Sequence, residues 1–364
     1  WTIMVKNTNG LSREFIIHPG ETLKEILEDR GMSQKELALR TGVTEAHVSS
    51  IVNCQKAISV SYAKKLEYAL GIDAGFWINL QANYDKELAD FKEVNEISDE
   101  EFNILKRLKR IVEYLKKIGL LDSEAHGPIL VIQLRKLLNI SNLAQIPKFS
   151  QVGAYRLAKT ARVDPYVLFT WLRMCDLIVE NQRVEQELDV NRLNGIIPLI
   201  KNLMFFKDIA DVQSRLKVYL AECGIRFAIV KYFRGAPVQG VIKKNDDGTL
   251  NLIMTTRRKF ADIFWFTFFH EIGHIINGDF EDGLIDYDFA EGEKEDRADE
   301  FAANTMIDIA AYKSFIIEGD FSLTSIKRFS ANHNIPPYIL IGRLQREGII
   351  KYTQYSSEKV MYGH

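Results

Sequence analysis

Residues 264–276 read Phe-Trp-Phe-Thr-Phe-Phe-His-Glu-Ile-Gly-His-Ile-Ile, and this stretch restricts the chain more than any other. Apolar residues on most sides of a helical wheel require a buried helix, here expected over Phe260 to Asn277. His270, Glu271 and His274 lie inside that helix and need partners once water is removed. The four-residue spacing puts both imidazoles on one face, one turn apart, where they can reach one metal ion. Glu271 sits between them, a carboxylate able to take a proton from a water at that metal. The bland alternative is a buried histidine pair hydrogen-bonded to carbonyls, and a third ligand is the test.

Residues 291–303 offer several acids on a predicted helix. Ala298, Ala302 and Met306 mark its inward stripe, with Glu295 and Asp299 beside it, one turn apart. Glu291 is also in phase, one turn earlier; Glu293, Asp296 and Glu300 point more toward solvent. A glutamate ligand followed four residues later by an aspartate that orients a ligand histidine is sound design. Two histidines, one carboxylate and a water complete a tetrahedral catalytic zinc site, and the reaction it suits is peptide hydrolysis. Arg257, Tyr287 and His333 are candidates for an auxiliary oxyanion donor.

Ahead of this helix, Ile225 to Phe233, Val238 to Lys243 and Thr249 to Thr256 read as strands, with Asp246-Asp247-Gly248 as a hairpin turn. A small antiparallel sheet is expected, with an edge strand that can pair with an extended peptide.

The N-terminal region has a different grammar. Ile3, Val5, Phe15 and Ile17 suggest a short extended arm, and Glu21 to Tyr84 reads as a run of short helices. Ser33 and Glu36 form a capping box, Gly42 makes a turn, and Thr44 caps a second helix from Glu45 to about Asn53. Val43, Val48 and Ile51 face inward, as in a helix-turn-helix. The outward positions Thr44, Glu45, His47, Ser49 and Ser50 could then meet base edges, with Gln34 a further candidate DNA contact and Lys35, Arg40 and Lys56 as phosphate contacts. A plain helical bundle shares this packing grammar, and the second helix carries neither Lys nor Arg.

Between these regions Lys86 to Ser98 is polar and acidic, a plausible linker, and further helices follow over Glu101–Lys117, Pro128–Leu138, Gln151–Ala161, Asp164–Glu180 and Asp208–Glu222. Leu157, Ala158, Val163, Leu168 and Trp171 repeat the offsets of the helix-turn-helix, but Tyr166, Phe169 and Trp171 make that second helix too apolar for a DNA groove. The looser echo at Phe329, Ile335 and Leu340 also reads as structural.

Bulk properties set the remaining bounds. The formal charge of -2 over 364 residues signals no global polyanion partner, so any nucleic-acid contact is local. Cys54, Cys175 and Cys223 are odd in number and widely spaced, which argues for a reducing compartment and against a disulfide framework or a cysteine metal site. The apolar run Ile263 to Phe269 is too short to span a bilayer, and the start does not resemble a signal peptide. A cytoplasmic protein without membrane attachment is expected.

Two resemblances follow. His18-Pro19-Gly20-Glu21, the helix-turn-helix, Ala69-Leu70-Gly71 and Phe76-Trp77-Ile78-Asn79-Leu80-Gln81, through Tyr84-Asp85, resemble the HigA-type antitoxin branch of the phage-repressor-like (XRE-like) helix-turn-helix family. Cys54 departs from it, standing where the family usually has a glycine. The resemblance implies operator DNA binding, often as a homodimer, and a co-encoded toxin as partner. From about Ile225 onward the chain resembles the ImmA/IrrE family of metallo-endopeptidases, on Phe264–Ile276, on Glu295, Ala298, Asp299, Phe301 and Ala302, and on Ile335–Gln345. That resemblance implies His270, His274 and Glu295 as ligands of one zinc ion, Glu271 as catalytic, and a specific repressor-like protein as substrate. The expected architecture is α+β and mainly α with a small antiparallel sheet. It comprises a helix-turn-helix domain over 1–85, a helical middle over 86–224 and a zincin-like metallopeptidase domain over 225–364.

Overall fold

The computed structural model describes residues 13, 16–149, 163–255, 259–280 and 292–362, and the backbone of 284–287. The expected N-terminal arm and the helix over Gln151–Ala161, with Leu157 and Ala158, lie largely outside the described residues. The chain divides into two compact units, Trp1–Asn103 with Glu124–Leu134, and Ile104–Ser123 with Arg135–His364.

The first unit opens with α1 (Pro19–Asp29), α2 (Gln34–Thr41), α3 (Glu45–Val52), α4 (Val60–Leu70) and α5 (Ala74–Asn95). Each start is set by a side-chain cap. Ser33, Thr44 and Ser59 accept from the backbone N–H three residues on, and Asp73 from that of Gly75. Gly42 (φ 63°) ends α2 in the left-handed conformation that turns the chain into α3. Leu23, Leu37, Val48, Ile51, Leu66 and Trp77 form the core. Gln81 is buried because its amide oxygen accepts from the Ile58 N–H ahead of α4, while its nitrogen donates to Asp85. The polar stretch after Tyr84 is helix as far as Asn95 rather than loose linker. It lacks Gly and Pro, and Lys86 pairs with Asp90 at 2.8 Å one turn on.

Next come α6 (Asp99–Arg107), α7 (Lys109–Lys117), α8 (Gly127–Leu138), the short α9 (Ile146–Phe149), α10 (Pro165–Glu180), α11 (Val190–Asn202) and α12 (Ile209–Ala221). The single helix expected over Glu101–Lys117 is broken at Leu108, where the Ile111 N–H bonds back only three residues.

In the second unit β1 (Ile225–Val230), β2 (Val238–Lys244) and β3 (Leu250–Thr255) precede α13 (Ala261–Asn277). They are followed by β4 (Leu284–Tyr287), α14 (Glu293–Met306), α15 (Ile309–Glu318), α16 (Leu323–Asn332) and α17 (Pro337–Arg346). The sheet is mixed, which corrects the antiparallel expectation. Its order is β1-β3-β2-β4, with β1 parallel to β3, and β2 antiparallel to both β3 and β4. The β2–β3 hairpin is as expected, but β3 is buried at every position and takes a central place between its hairpin partner and β1. The open edge of β1 is closed by side chains: Gln182 exchanges two hydrogen bonds with the Phe227 backbone, and Gln213 accepts from the Ile229 N–H.

Helix α13 runs through the core, with Trp265, Phe268 and Phe269 fully enclosed. Gly273 lets α14 approach it closely: a Cβ there would stand 3.1 Å from the Phe301 ring and 3.2 Å from the Ala298 Cα. The start of α13 is fastened by residues 360–362. The Ala261 N–H donates to Val360, the Tyr362 N–H donates to Lys259, and the Trp265 indole donates to the Tyr362 hydroxyl at 2.8 Å. Phe329, Ile335 and Leu340 sit in this same core, as a structural reading of that echo requires.

Candidate metal centre and nucleic-acid interface

The two histidines expected on one face of α13 do converge. His270 Nε2 lies 3.0 Å from His274 Nε2 and 3.1 Å from Glu295 Oε2, and His274 Nε2 lies 3.5 Å from the same oxygen. Among the described residues these three form a group whose ligand atoms all lie within 4.8 Å of one another. Metal–ligand bonds of about 2.0–2.1 Å at tetrahedral angles put ligand atoms roughly 3.3 Å apart, and the observed triangle matches that spacing. Both histidines are buried, and Glu295 is half-buried.

The outer nitrogens decide what the inner ones offer. His270 Nδ1 lies 2.8 Å from Asp299 Oδ1, and His274 Nδ1 lies 3.5 Å from Asp279 Oδ2. A carboxylate at Nδ1 favours the proton there, which leaves the Nε2 lone pair facing inward. Two lone pairs and a carboxylate oxygen thus face one another, an arrangement that suits a cation. Burial raises the Asp299 carboxyl, but its bonds to His270 and to the Arg346 guanidinium prevail and lower it.

Glu271 is fully buried, and its carboxylate lies against Gly240 of β2, where any Cβ would run into it. A cavity of about 710 Å³ opens beside the triangle, lined among others by Gln239, Phe266, Thr267, His270, Glu295 and Arg346. Asp296 and Glu300, expected to face solvent, are exposed and line it as well. Of the candidate oxyanion donors, Arg257 and the Tyr287 side chain lie outside the described residues. His333 closes α16, its N–H on the Phe329 carbonyl and its ring against Phe329; it does not line the cavity. Glu291 also lies outside the described residues.

Three participants escaped the sequence reading. Asp279 reaches His274 because Gly278 (φ 75°) reverses the chain and lets the Asp279 N–H bond back to the His274 carbonyl. A glycine followed by an acid at the helix end was the available signal. Gly240 and Arg346 are brought in by tertiary packing and carried no local signal.

In the helix-turn-helix, Thr44, Glu45 and Lys56 are exposed, while Gln34, His47 and Ser50 are half-buried. His47 is less free than expected. Its ring packs edge-on against Tyr62, and its Nδ1 lies 3.1 Å from Lys56 Nζ. Burial, then Lys56, lowers its pKa. The Ser50 hydroxyl donates to the His47 carbonyl, which leaves it an acceptor toward any ligand. Arg40 is held by Glu36 at 2.7 Å. Cys54 has φ 60°, in the left-handed region where glycine is the residue with least strain.

A helix-turn-helix family matches residues 23–77, which include the capped helices α2 and α3 and the left-handed Gly42 between them. The chain belongs to this family through its N-terminal unit. It is 37% identical to virulence-associated protein I of Dichelobacter nodosus over 75 residues, which is 20% of this chain and 69% of that protein. Among solved structures, a putative antidote protein of a plasmid maintenance system from Nostoc punctiforme is 34% identical. That match covers 22% of this chain and 88% of that one, with a TM-score of 0.22. The Pseudomonas aeruginosa antitoxin HigA, solved with the higBA promoter, is 35% identical, covering 23% and 96%, with a TM-score of 0.21.

Proposed function

We propose that this protein is a DNA-binding regulator of the antitoxin type, acting on operator DNA through α2 and α3, with a zinc centre in its second unit. The observation that carries the DNA reading is the family match over the capped α2–Gly42–α3 turn. Thr44, Glu45 and Ser50 on the outward side of α3, with Gln34 at the start of α2, would read base edges, and Lys56 would contact phosphate. With so few cations, affinity should depend only modestly on salt. A dimer would address two half-sites about one helical turn apart, and a co-encoded toxin is the protein partner this reading expects. Titrating labelled DNA from upstream of the gene tests it: a sequence-specific complex that Thr44→Ala and Ser50→Ala weaken supports the reading, and equal affinity for scrambled DNA contradicts it.

The zinc centre would be held by His270, His274 and Glu295. The lone-pair triangle and its spacing support this. A second reading, hydrolysis of a specific repressor-like protein, is favoured by one feature: Glu271 is a fully buried carboxylate next in sequence to His270. Zinc bound there would act as a Lewis acid and lower the pKa of water. In this reading Glu271 takes the proton of the attacking water and returns it to the leaving amine. Glu271→Gln should keep fold and zinc and abolish cleavage of the partner. If that variant regulates as fully as the parent, the zinc centre is structural or sensory and the protease reading falls.

A further inference from the structure

We infer that Arg346 is a positioning residue for the zinc centre: it holds Asp299, and Asp299 in turn holds His270. The inference rests on the zinc reading above. Arg346 ends α17, a helix that contributes none of the ligands. Its Nη2 donates to Asp299 Oδ2 at 2.6 Å, while the other oxygen of that carboxylate faces His270 Nδ1 at 2.8 Å. Asp299 therefore bridges a guanidinium and a ligand imidazole, one oxygen to each. The same guanidinium lies 3.9 Å from the ring centroid of Phe266, one turn before His270 on α13. One side chain thus grips both helices that carry the ligands.

The contact matters because the Asp299 side chain is 41% exposed. Held only by one imidazole, such a carboxylate can rotate toward water, and its rotamer freedom competes with the bond to His270. The charge-assisted bond from Arg346 restrains it on the solvent side. A fixed Asp299 keeps the proton on His270 Nδ1 and the Nε2 lone pair on the triangle. Arg343 shows that this is not a generic property of α17. Three residues earlier on the same helix, it stacks on Tyr312 at 3.8 Å and bonds Glu347 and the Ala303 carbonyl instead.

Two readouts on the full-length chain test this. The first is zinc affinity, by competition with a chromophoric chelator. Arg346→Met keeps an apolar stem on Phe266 and removes the donors; it should weaken zinc about tenfold, the lower end for a residue acting behind a ligand. Arg346→Lys should recover part of the loss, Arg343→Met should leave affinity unchanged, and in an Asp299→Ala background Arg346→Met should add nothing. The second is the ¹⁵N imidazole spectrum of zinc-free protein, with His270 assigned by His270→Gln. It should show one Nδ1–H tautomer in the parent and a mixture in Arg346→Met. Parental zinc affinity in Arg346→Met with only a lower melting temperature, or a tenfold loss that persists without Asp299, overturns the relay. If the parent takes up no zinc, the zinc reading falls on its own, and the tautomer decides the relay: an unchanged spectrum in Arg346→Met contradicts it.

Discussion

Asp299 and His270 share one hydrogen bond of 2.8 Å, and it determines which nitrogen His270 turns toward Glu295, 3.1 Å away on the other side of the ring. The residues that do not face the triangle therefore set what it can bind. The same division appears at His274, with Asp279 outside and Glu295 inside. Asp279 is itself flanked by Lys294 and Arg297, each at 3.4 Å.

The first prediction concerns the metal. Purified protein should carry one zinc per chain, and Glu295→Ala should lose it. Zinc at a hundredfold over Kd stabilises the folded state by about 2.7 kcal/mol, so chelator should lower the melting temperature of the parent and leave Glu295→Ala unmoved. Uptake should weaken in acid, because histidine and glutamate ligands bind deprotonated. Elemental analysis and calorimetric melts check this; an equal zinc content in Glu295→Ala rules out the assigned ligand set.

Helical phase placed Glu295 and Asp299 beside the stripe Ala298, Ala302 and Met306, all three of which are buried, but left Glu291 in phase as well, so phase alone did not choose among the acids. Ser33 and Thr44 were legible as caps because a cap is a local pattern. Strand direction was not: alternation says which face is buried and nothing of which neighbour a strand takes, so the parallel pairing of β1 with β3 was missed. Arg346 was invisible because 47 residues separate it from Asp299, and only the packing of α17 joins them.

Gly240 should not tolerate a methyl group. The Glu271 carboxylate occupies the space a Cβ would need, so Gly240→Ala must push Glu271 off strand β2 or strain the strand. A loss of about 1–3 kcal/mol is expected, the range for an overpacked core. Urea unfolding of the two proteins measures it; equal stability would place Glu271 elsewhere.

Cys54 lies at φ 60° without a glycine's freedom. Cys54→Gly should stabilise the first unit by about 1 kcal/mol, since the left-handed conformation costs a side-chain-bearing residue roughly that much. Slower hydrogen exchange of the α3 and α4 amides reports it, and faster exchange argues against strain at this turn.

The thiols should differ sharply. Cys54 is exposed, whereas Cys175 and Cys223 are buried. Burial pushes Cys223 to about 11 and Cys175 well above the usual thiol range. Native protein at pH 8 should take up one equivalent of iodoacetamide, at Cys54, and unfolded protein three. The raised Cys223 value also fixes a sign: the unfolded thiol ionises first, so its contribution is intact below the ordinary thiol pKa and is lost as pH rises toward about 11. Rapid alkylation of two or more native thiols contradicts the burial.

The most direct test of the central claim is a fluorescence anisotropy titration of the full-length protein against DNA from upstream of its own gene and against scrambled DNA, at about 150 mM salt. The account predicts binding at least about a thousandfold tighter to the upstream DNA, in the range of specific regulators. It also predicts that Thr44→Ala and Ser50→Ala reduce this preference while Lys56→Ala weakens both DNAs alike. Equal affinity for the two DNAs, or a preference untouched by changes on α3, would contradict it.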